Sequence, residues 1–232
     1  MSFNAAKCNS ITISRKKKKI DYNYTLHNHI LEKTDKTTYL GVELANDLTW
    51  SAHITKTCAK ANRNLSFIRR NLRIKNQDIK EIAFKGLVRP VLEYCSTVWS
   101  PHQIKYIDML EMVQRRAARY VLCRYHNESS VTKMMKGMGW DTLACRRTRA
   151  DATMFYKIEH SLVAVPMPAS VQRPERLLRN PPHYYRPLYC STVSFQNSFF
   201  PRTVKIWNKI PDYIAAEASL PSFKAALSQI HY

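Results

Sequence analysis

Residues 79–99 read IKEIAFKGLVRPVLEYCSTVW, and their pattern sets the architecture of the chain. Counted at helical spacing, Ile82, Ala83, Gly86, Leu87, Pro90, Val91, Tyr94, Cys95 and Val98 form one uncharged row, the mark of a buried helical face. Phe84, Val88 and Leu92 widen it. The charges left over, Glu81, Lys85, Arg89 and Glu93, fall four apart on one narrow seam. Pro90 removes a helical hydrogen bond and crowds the carbonyl of Gly86. The stretch is therefore expected to be one central core helix with a bend.

Helical periodicity continues on both sides. In 51–72, Ile54, Cys58, Ala61, Leu65, Ile68 and Leu72 recur at steps of four and three, with Lys56, Lys60, Arg63, Arg69, Arg70 and Arg73 as the charged residues. Asn76 or Asp78 can cap the central helix, and Pro101 ends it. The next helix runs to about Leu122, with Tyr106, Met109, Leu110, Val113, Ala117, Tyr120 and Val121 inward. Asp108 and Glu111 come early in it and Arg115, Arg116 and Arg119 late, the order that the helix dipole favours. Glu111, Arg115 and Arg119 also follow four-residue spacing. A short helix after Ser129-Ser130 stops by Gly137 and Gly139. Another follows Asp141, with Leu143, Ala150, Met154, Ile158 and Leu162 inward. Six prolines between 166 and 187 make 163–187 read as a linker. Beyond it come an extended 188–195, a helix opened at Pro201 and a last one started by Ser219 and Pro221.

The N-terminal stretch differs. Residues 10–14, 22–26 and 38–44 are β-branched or aromatic and read as short strands, with a turn at His27-Asn28 and a solvated cationic loop at 15–19. The expected fold is α+β and mostly α. It comprises a small antiparallel β remnant at 1–49, a helical bundle at 50–162, a proline-rich linker at 163–187 and a small C-terminal helical unit at 188–232.

A formal charge of +20 and a pI near 9.9 favour nucleic acid or an anionic membrane as partner and argue against a neutral metabolic enzyme. No run approaches the ~18 apolar residues of a membrane span, and the first ten residues hold no apolar signal core. No membrane partner is expected, and the protein is expected to be intracellular, with nucleus or cytoplasm left open. The six scattered cysteines then read as reduced residues. Four glycines leave no material for a phosphate-cradling loop.

Two-metal chemistry needs carboxylates converging within ~4 Å, and this sequence has no adjacent acid pair. It also lacks CxxC and HExxH, and His27 with His29 cannot complete a metal site alone. The clearer signal is basic. Arg69, Arg70 and Arg73, then Arg115, Arg116 and Arg119, then Arg146 and Arg147 sit on predicted helices as candidate phosphate contacts. Cations so spaced can follow a nucleic-acid backbone without reading bases. The plainer alternative is a solvated exterior.

Several strings together resemble non-LTR (LINE-type, jockey-like) retrotransposon reverse transcriptases, from the end of the palm through the thumb to the C-terminal region. They are Phe3-Asn4 with Lys7-Cys8, Tyr39-Leu40-Gly41-Val42, Leu48-Thr49-Trp50 with His53-Ile54, and Leu87-Val88-Arg89-Pro90 with Leu92-Glu93-Tyr94 and Trp99-Ser100-Pro101. Leu110-Glu111 through Gln114-Arg115-Arg116-Ala117-Ala118-Arg119 and, in the tail, Ser198-Phe199-Phe200-Pro201-Arg202-Thr203 with Trp207-Asn208 and Ile210-Pro211 extend the likeness over almost the whole chain. The resemblance implies a thumb-like bundle that grips the template–primer duplex, RNA or DNA. The three metal-binding aspartates of such a palm would lie upstream of Met1, so no cofactor is expected in this chain and magnesium would be held by that palm. Lys7 matches a lysine position associated with the leaving pyrophosphate, and Leu40-Gly41 matches the primer-grip hairpin. The expectation is therefore a non-catalytic fragment of an RNA-directed DNA polymerase. The alternative is an independent nucleic-acid-binding protein derived from such an element. Strands cut from a palm would also leave open edges beside Phe3, Ile11, Ile13 and Tyr39, favouring self-association.

Overall fold

The computed structural model describes residues 4–14, 16–17, 22–126, 129–175 and 181–230. Phe3, and Arg15, Lys18 and Lys19 of the cationic run, lie outside the described residues. The fold is α+β and mostly α. The chain divides into two compact units, Met1–Lys60 and Ala61–Tyr232, so the division falls inside a helix rather than at 49–50.

The first unit holds a 3-10 turn at Ala5–Lys7 and the strands β1 (Asn9–Ser10), β2 (Thr25–Leu26), β3 (His29–Ile30), β4 (Glu32–Lys33), β5 (Lys36–Tyr39) and β6 (Val42–Ala45). β2 and β3 form a hairpin through His27 and Asn28, both left-handed at φ 48° and 61°. Residues 38–44, read from sequence as one strand, fold back instead: Leu40 and Gly41, at φ 47° and 81°, make the turn between β5 and β6. Two-residue turns of this hand match the twist of the strands they join. β1 pairs with β4 in parallel, so only two of the three ladders have the expected antiparallel sense.

Helix α1 (Ser51–Asn71) begins in this unit, and its first turns hold β6. The Glu43 N–H donates to His53 Nδ1 at 3.2 Å, and Lys56 pairs with the Glu43 carboxylate at 3.2 Å. His53 is buried, which lowers its pKa from the ordinary 6.5 by penalising the charged ring. A depressed folded-state pKa contributes stability that is present above about 6.5 and lost as pH falls through the folded value.

The second unit carries the rest of α1 followed by α2 (Gln77–Leu87), α3 (Arg89–Glu93), α4 (Ser96–Trp99), α5 (Ile104–Leu122), α6 (Val131–Gly137), α7 (Leu143–Glu159), α8 (Val193–Gln196), α9 (Phe199–Trp207), α10 (Asp212–Ala215) and α11 (Leu220–Ser228). Asn76 caps α2, its side chain accepting from the N–H groups of Asp78 and Ile79. Residues 79–99 are not one bent helix but three. Pro90 occupies the first turn of α3, where its missing N–H costs nothing, and Cys95 turns left-handed at φ 51° ahead of α4.

The breaks reverse which row is buried. Ile82 is 68% exposed and Tyr94 54%, while Lys80, Phe84, Val88, Leu92, Ser96 and Trp99 face the core. The charged seam beside that row is half-buried and in use. Glu81 accepts from the Trp140 indole at 2.8 Å, and Glu93 receives a two-pronged contact from Arg146, whose second bond is 3.0 Å.

On α7 the inward residues are Leu143, Arg147, Asp151, Ala152, Phe155, Tyr156 and Ile158, whereas Leu162, expected inside, is exposed. Its start is gripped by α5: Glu111 Oε1 accepts the Ala144 N–H at 2.9 Å and Gln114 donates to the Asp141 carbonyl at 2.8 Å. Glu111 is thus buried and turned away from the expected surface series with Arg115 and Arg119, and burial raises its pKa.

The proline-rich segment is no linker. Val171 and Tyr185 join one core with Ala152, Phe155, Tyr156, Val204, Trp207, Phe223 and Leu227, which also unites residues expected to belong to separate domains. Asn208 holds both backbone groups of Tyr185, at 3.0 and 2.8 Å, and the Trp207 indole donates to the His183 carbonyl at 3.0 Å. Each proline lacks a donor, so side chains from α9 and its C-cap supply the bonds that a regular element would supply itself.

Arg202 anchors this core. It bonds both oxygens of buried Asp151, at 2.9 and 3.2 Å, and the carbonyls of Thr97 and Asn197 at 2.8 and 2.7 Å. Burial nevertheless raises the Asp151 pKa, because Arg202 offsets only part of the desolvation.

Two outcomes are expected. Changing Asp151 to Ala leaves a buried guanidinium unpaired and lowers stability by about 3–5 kcal/mol in denaturant titration; a loss below about 1 kcal/mol would mean that the pair is not structural. The His53 imidazole resonances should titrate below 6.5, and a midpoint at or above that value removes it as an acid-sensitive contact.

Candidate nucleic-acid interface

The second half of α1 meets the end of α5 and the residues just past it through side chains. Three contacts fix the alignment. Arg116 donates to Asn62 Oδ1 at 3.1 Å, the Tyr120 hydroxyl donates to the Leu72 carbonyl at 3.1 Å, and the Arg69 guanidinium sits over the Tyr125 ring at 5.9 Å. Both helices therefore end together, α5 closing at left-handed Cys123 with φ 53°.

Residues 61–76 and 112–126 contain Arg63, Arg69, Arg70, Arg73, Lys75, Arg115, Arg116, Arg119 and Arg124, and neither segment contains an aspartate or glutamate. Among the described residues none of these cations makes an ion pair. Arg69, Arg70, Arg73, Arg115 and Arg116 are exposed, and Arg119 is half-buried. Five of the sequence candidates thus stand on α1 and α5, and Arg73 lies just past the end of α1. Arg124, which closes the second arginine cluster of the sequence, completes the set with Arg63 and Lys75, and these last two were not among the candidates. The signal that finds them is the missing acid across both segments.

The third candidate group behaves differently. Arg147 is 3% exposed, and burial lowers its pKa despite the nearby carboxylates of Glu111 and Asp151. It cannot serve as a surface phosphate contact. Arg146 is committed to Glu93, whose hydrogen bonds hold the guanidinium charge more firmly. Arg149 likewise pairs with Asp141 and donates to the carbonyls of Ser228 and Ile230 at 2.9 and 3.0 Å. These arginines knit helices.

In the first unit Lys7 ends the 3-10 turn, exposed, and Leu40 and Gly41 form an exposed hairpin tip. Among the described residues no three histidines, cysteines or carboxylates converge to hold a metal ion, and no helix is long and apolar enough to cross a membrane. No family model, curated protein or solved structure matches this chain.

The two arginine groups predict opposite behaviour in stability measurements. Single Arg70→Glu or Arg115→Glu changes should each alter unfolding free energy by no more than about 0.5 kcal/mol. Arg146→Ala removes both hydrogen bonds from half-buried Glu93, leaving it only Arg89 at 4.0 Å, and should lower the melting temperature clearly. Equal effects from both groups would erase the distinction.

Proposed function

We propose that this chain grips a nucleic-acid duplex through its phosphates, as the thumb and C-terminal part of a LINE-type RNA-directed DNA polymerase. The observation that carries the reading is the group of cations on the second half of α1, just past it and on the end of α5 that make no ion pair among the described residues. A cation that no carboxylate neutralises keeps its full attraction for an external anion. From Arg63 to Arg70, α1 is roughly 10 Å long at ~1.5 Å per residue, enough to meet about three phosphates of one strand at ~3.4 Å spacing. Guanidinium groups suit that task because their planar fork matches phosphate oxygens. The contacts reach backbone rather than base edges, so binding is insensitive to sequence.

In this reading the metal-binding aspartates belong to the polymerase palm, and the present chain contributes binding rather than chemistry. The exposed turn at Leu40 and Gly41 agrees with a primer-grip hairpin, and the order of the sequence strings supports the same family. Arg146 and Arg147 drop out of the binding set.

Duplex affinity should fall by orders of magnitude between ~50 and ~200 mM salt if several phosphates are neutralised. Replacing Arg115 and Arg116 by Glu should weaken all duplex sequences equally and flatten the salt slope by about 0.9 for each lost phosphate contact. Fluorescence anisotropy against two unrelated duplexes measures both. Salt-independent binding, or strong preference for one site, would overturn the proposal.

A further inference from the structure

Where α1 and α5 end together, a cleft of about 520 Å³ opens beside the start of α2. Its wall includes Arg69, Arg73, Lys75 and Lys80 with Tyr120 and Tyr125, and none of the described residues lining it is a carboxylate. That volume falls within the ~300–1,000 Å³ typical of clefts that enclose small molecules.

Lys80 gives the cleft its character. It is 4% exposed, yet among the described residues no carboxylate pairs with it. Its ammonium contacts Cys123 Sγ at 2.8 Å and lies 5.2 Å from the centre of the Tyr120 ring. A buried ammonium is costly unless an anion meets it, and a thiol and a ring face compensate only part of that cost. Arg73 and Lys75 stand at the same cleft with no ion pair among the described residues, and Arg69 is engaged only by the Tyr125 ring. Four cations around one cleft suit a compact anion carrying more than one charge. Tyr125 adds the second half of the specification. Its ring is 53% exposed and Arg69 lies over it, a platform suited to a planar π-system.

We propose that this cleft binds a nucleoside phosphate, either free or as the phosphorylated end of a strand, with the phosphate toward Lys80, Arg73 and Lys75 and the base against Tyr125. It is a pocket for one nucleotide, separate from the extended surface that follows a duplex. It shares Arg69 and Arg73 with the proposed duplex grip but does not depend on Arg115 or Arg116.

Cys123 supplies the test, because it is exposed and lines the cleft. The full chain is treated with iodoacetamide, and alkylation of Cys123 is followed by peptide mass spectrometry. The probes are inorganic phosphate, a nucleoside monophosphate, the matching nucleoside and a short 5′-phosphorylated oligonucleotide. The nucleoside monophosphate should protect Cys123 at a concentration at least about tenfold below phosphate, and the nucleoside should not protect. Stronger protection by the oligonucleotide assigns a strand end; stronger protection by the mononucleotide assigns a free nucleotide. Lys80→Met keeps the apolar stem and should abolish protection. Tyr125→Ala, on the surface, should reduce the mononucleotide's advantage over phosphate without touching the core. Failure of every phosphate-bearing probe to protect, or protection unchanged in both variants, would overturn the site. Salt-steep duplex binding without protection defeats this inference alone, and protection without duplex binding defeats the grip alone.

Discussion

The second unit depends on a carboxylate and a guanidinium that meet out of water. Asp151 and Arg202 join α7 to α9, and the same guanidinium closes the carbonyls of Thr97 and Asn197. Hydrophobic contacts among Phe155, Trp207 and Phe223 supply area but little direction. The charged pair supplies direction: it accepts one register of α9 against α7 and leaves an unpaired charge in any other. The raised pKa of Asp151 is the cost of that arrangement, since burial weakens the carboxylate even with Arg202 beside it.

Arginine therefore does two jobs in one sequence. Arg146, Arg149 and Arg202 are answered by Glu93, Asp141 and Asp151, so their charges are spent inside the fold. On the second half of α1 and the end of α5 no acid among the described residues answers. Crowding so many like charges raises the energy of the folded state, and the carbonyl ends of α1 and α5, which meet at Tyr120 and Leu72, offset part of it. The surplus positive charge thus concentrates where the backbone tolerates it best.

Local rules were readable in the sequence; distant partners were not. The buried row Ile54, Cys58, Ala61, Leu65 and Ile68 is as its spacing indicates, and Asn76 and Ser219 cap the helices they precede. The faces of 79–99 and α7 were misread because their deciding contacts come from afar. Lys80 is buried against Cys123, 43 residues on, and Asp151 against Arg202, 51 residues on. A left-handed Cys95 is equally hard to foresee, since nothing about that residue type asks for it. The proline count of 163–187 reads as a linker and could not reveal the clamp at Asn208. In the candidate site, basic clusters were legible as composition, whereas which arginines remain unpaired emerged only once each acid had found its partner.

The distance in sequence between Asp151 and Arg202 also orders events during synthesis. At ~5–20 residues per second, the 51 residues that separate them take roughly 3–10 s to appear. For that interval α7 exists with its carboxylate and the Phe155–Tyr156 face uncovered, and the strap has no Asn208 to hold it. The first half of the bundle, closed by contacts between α1, α2 and α5, can form meanwhile. The core around α7 therefore waits on Arg202, and the interval before that residue emerges is when this part of the chain is most open to misassociation.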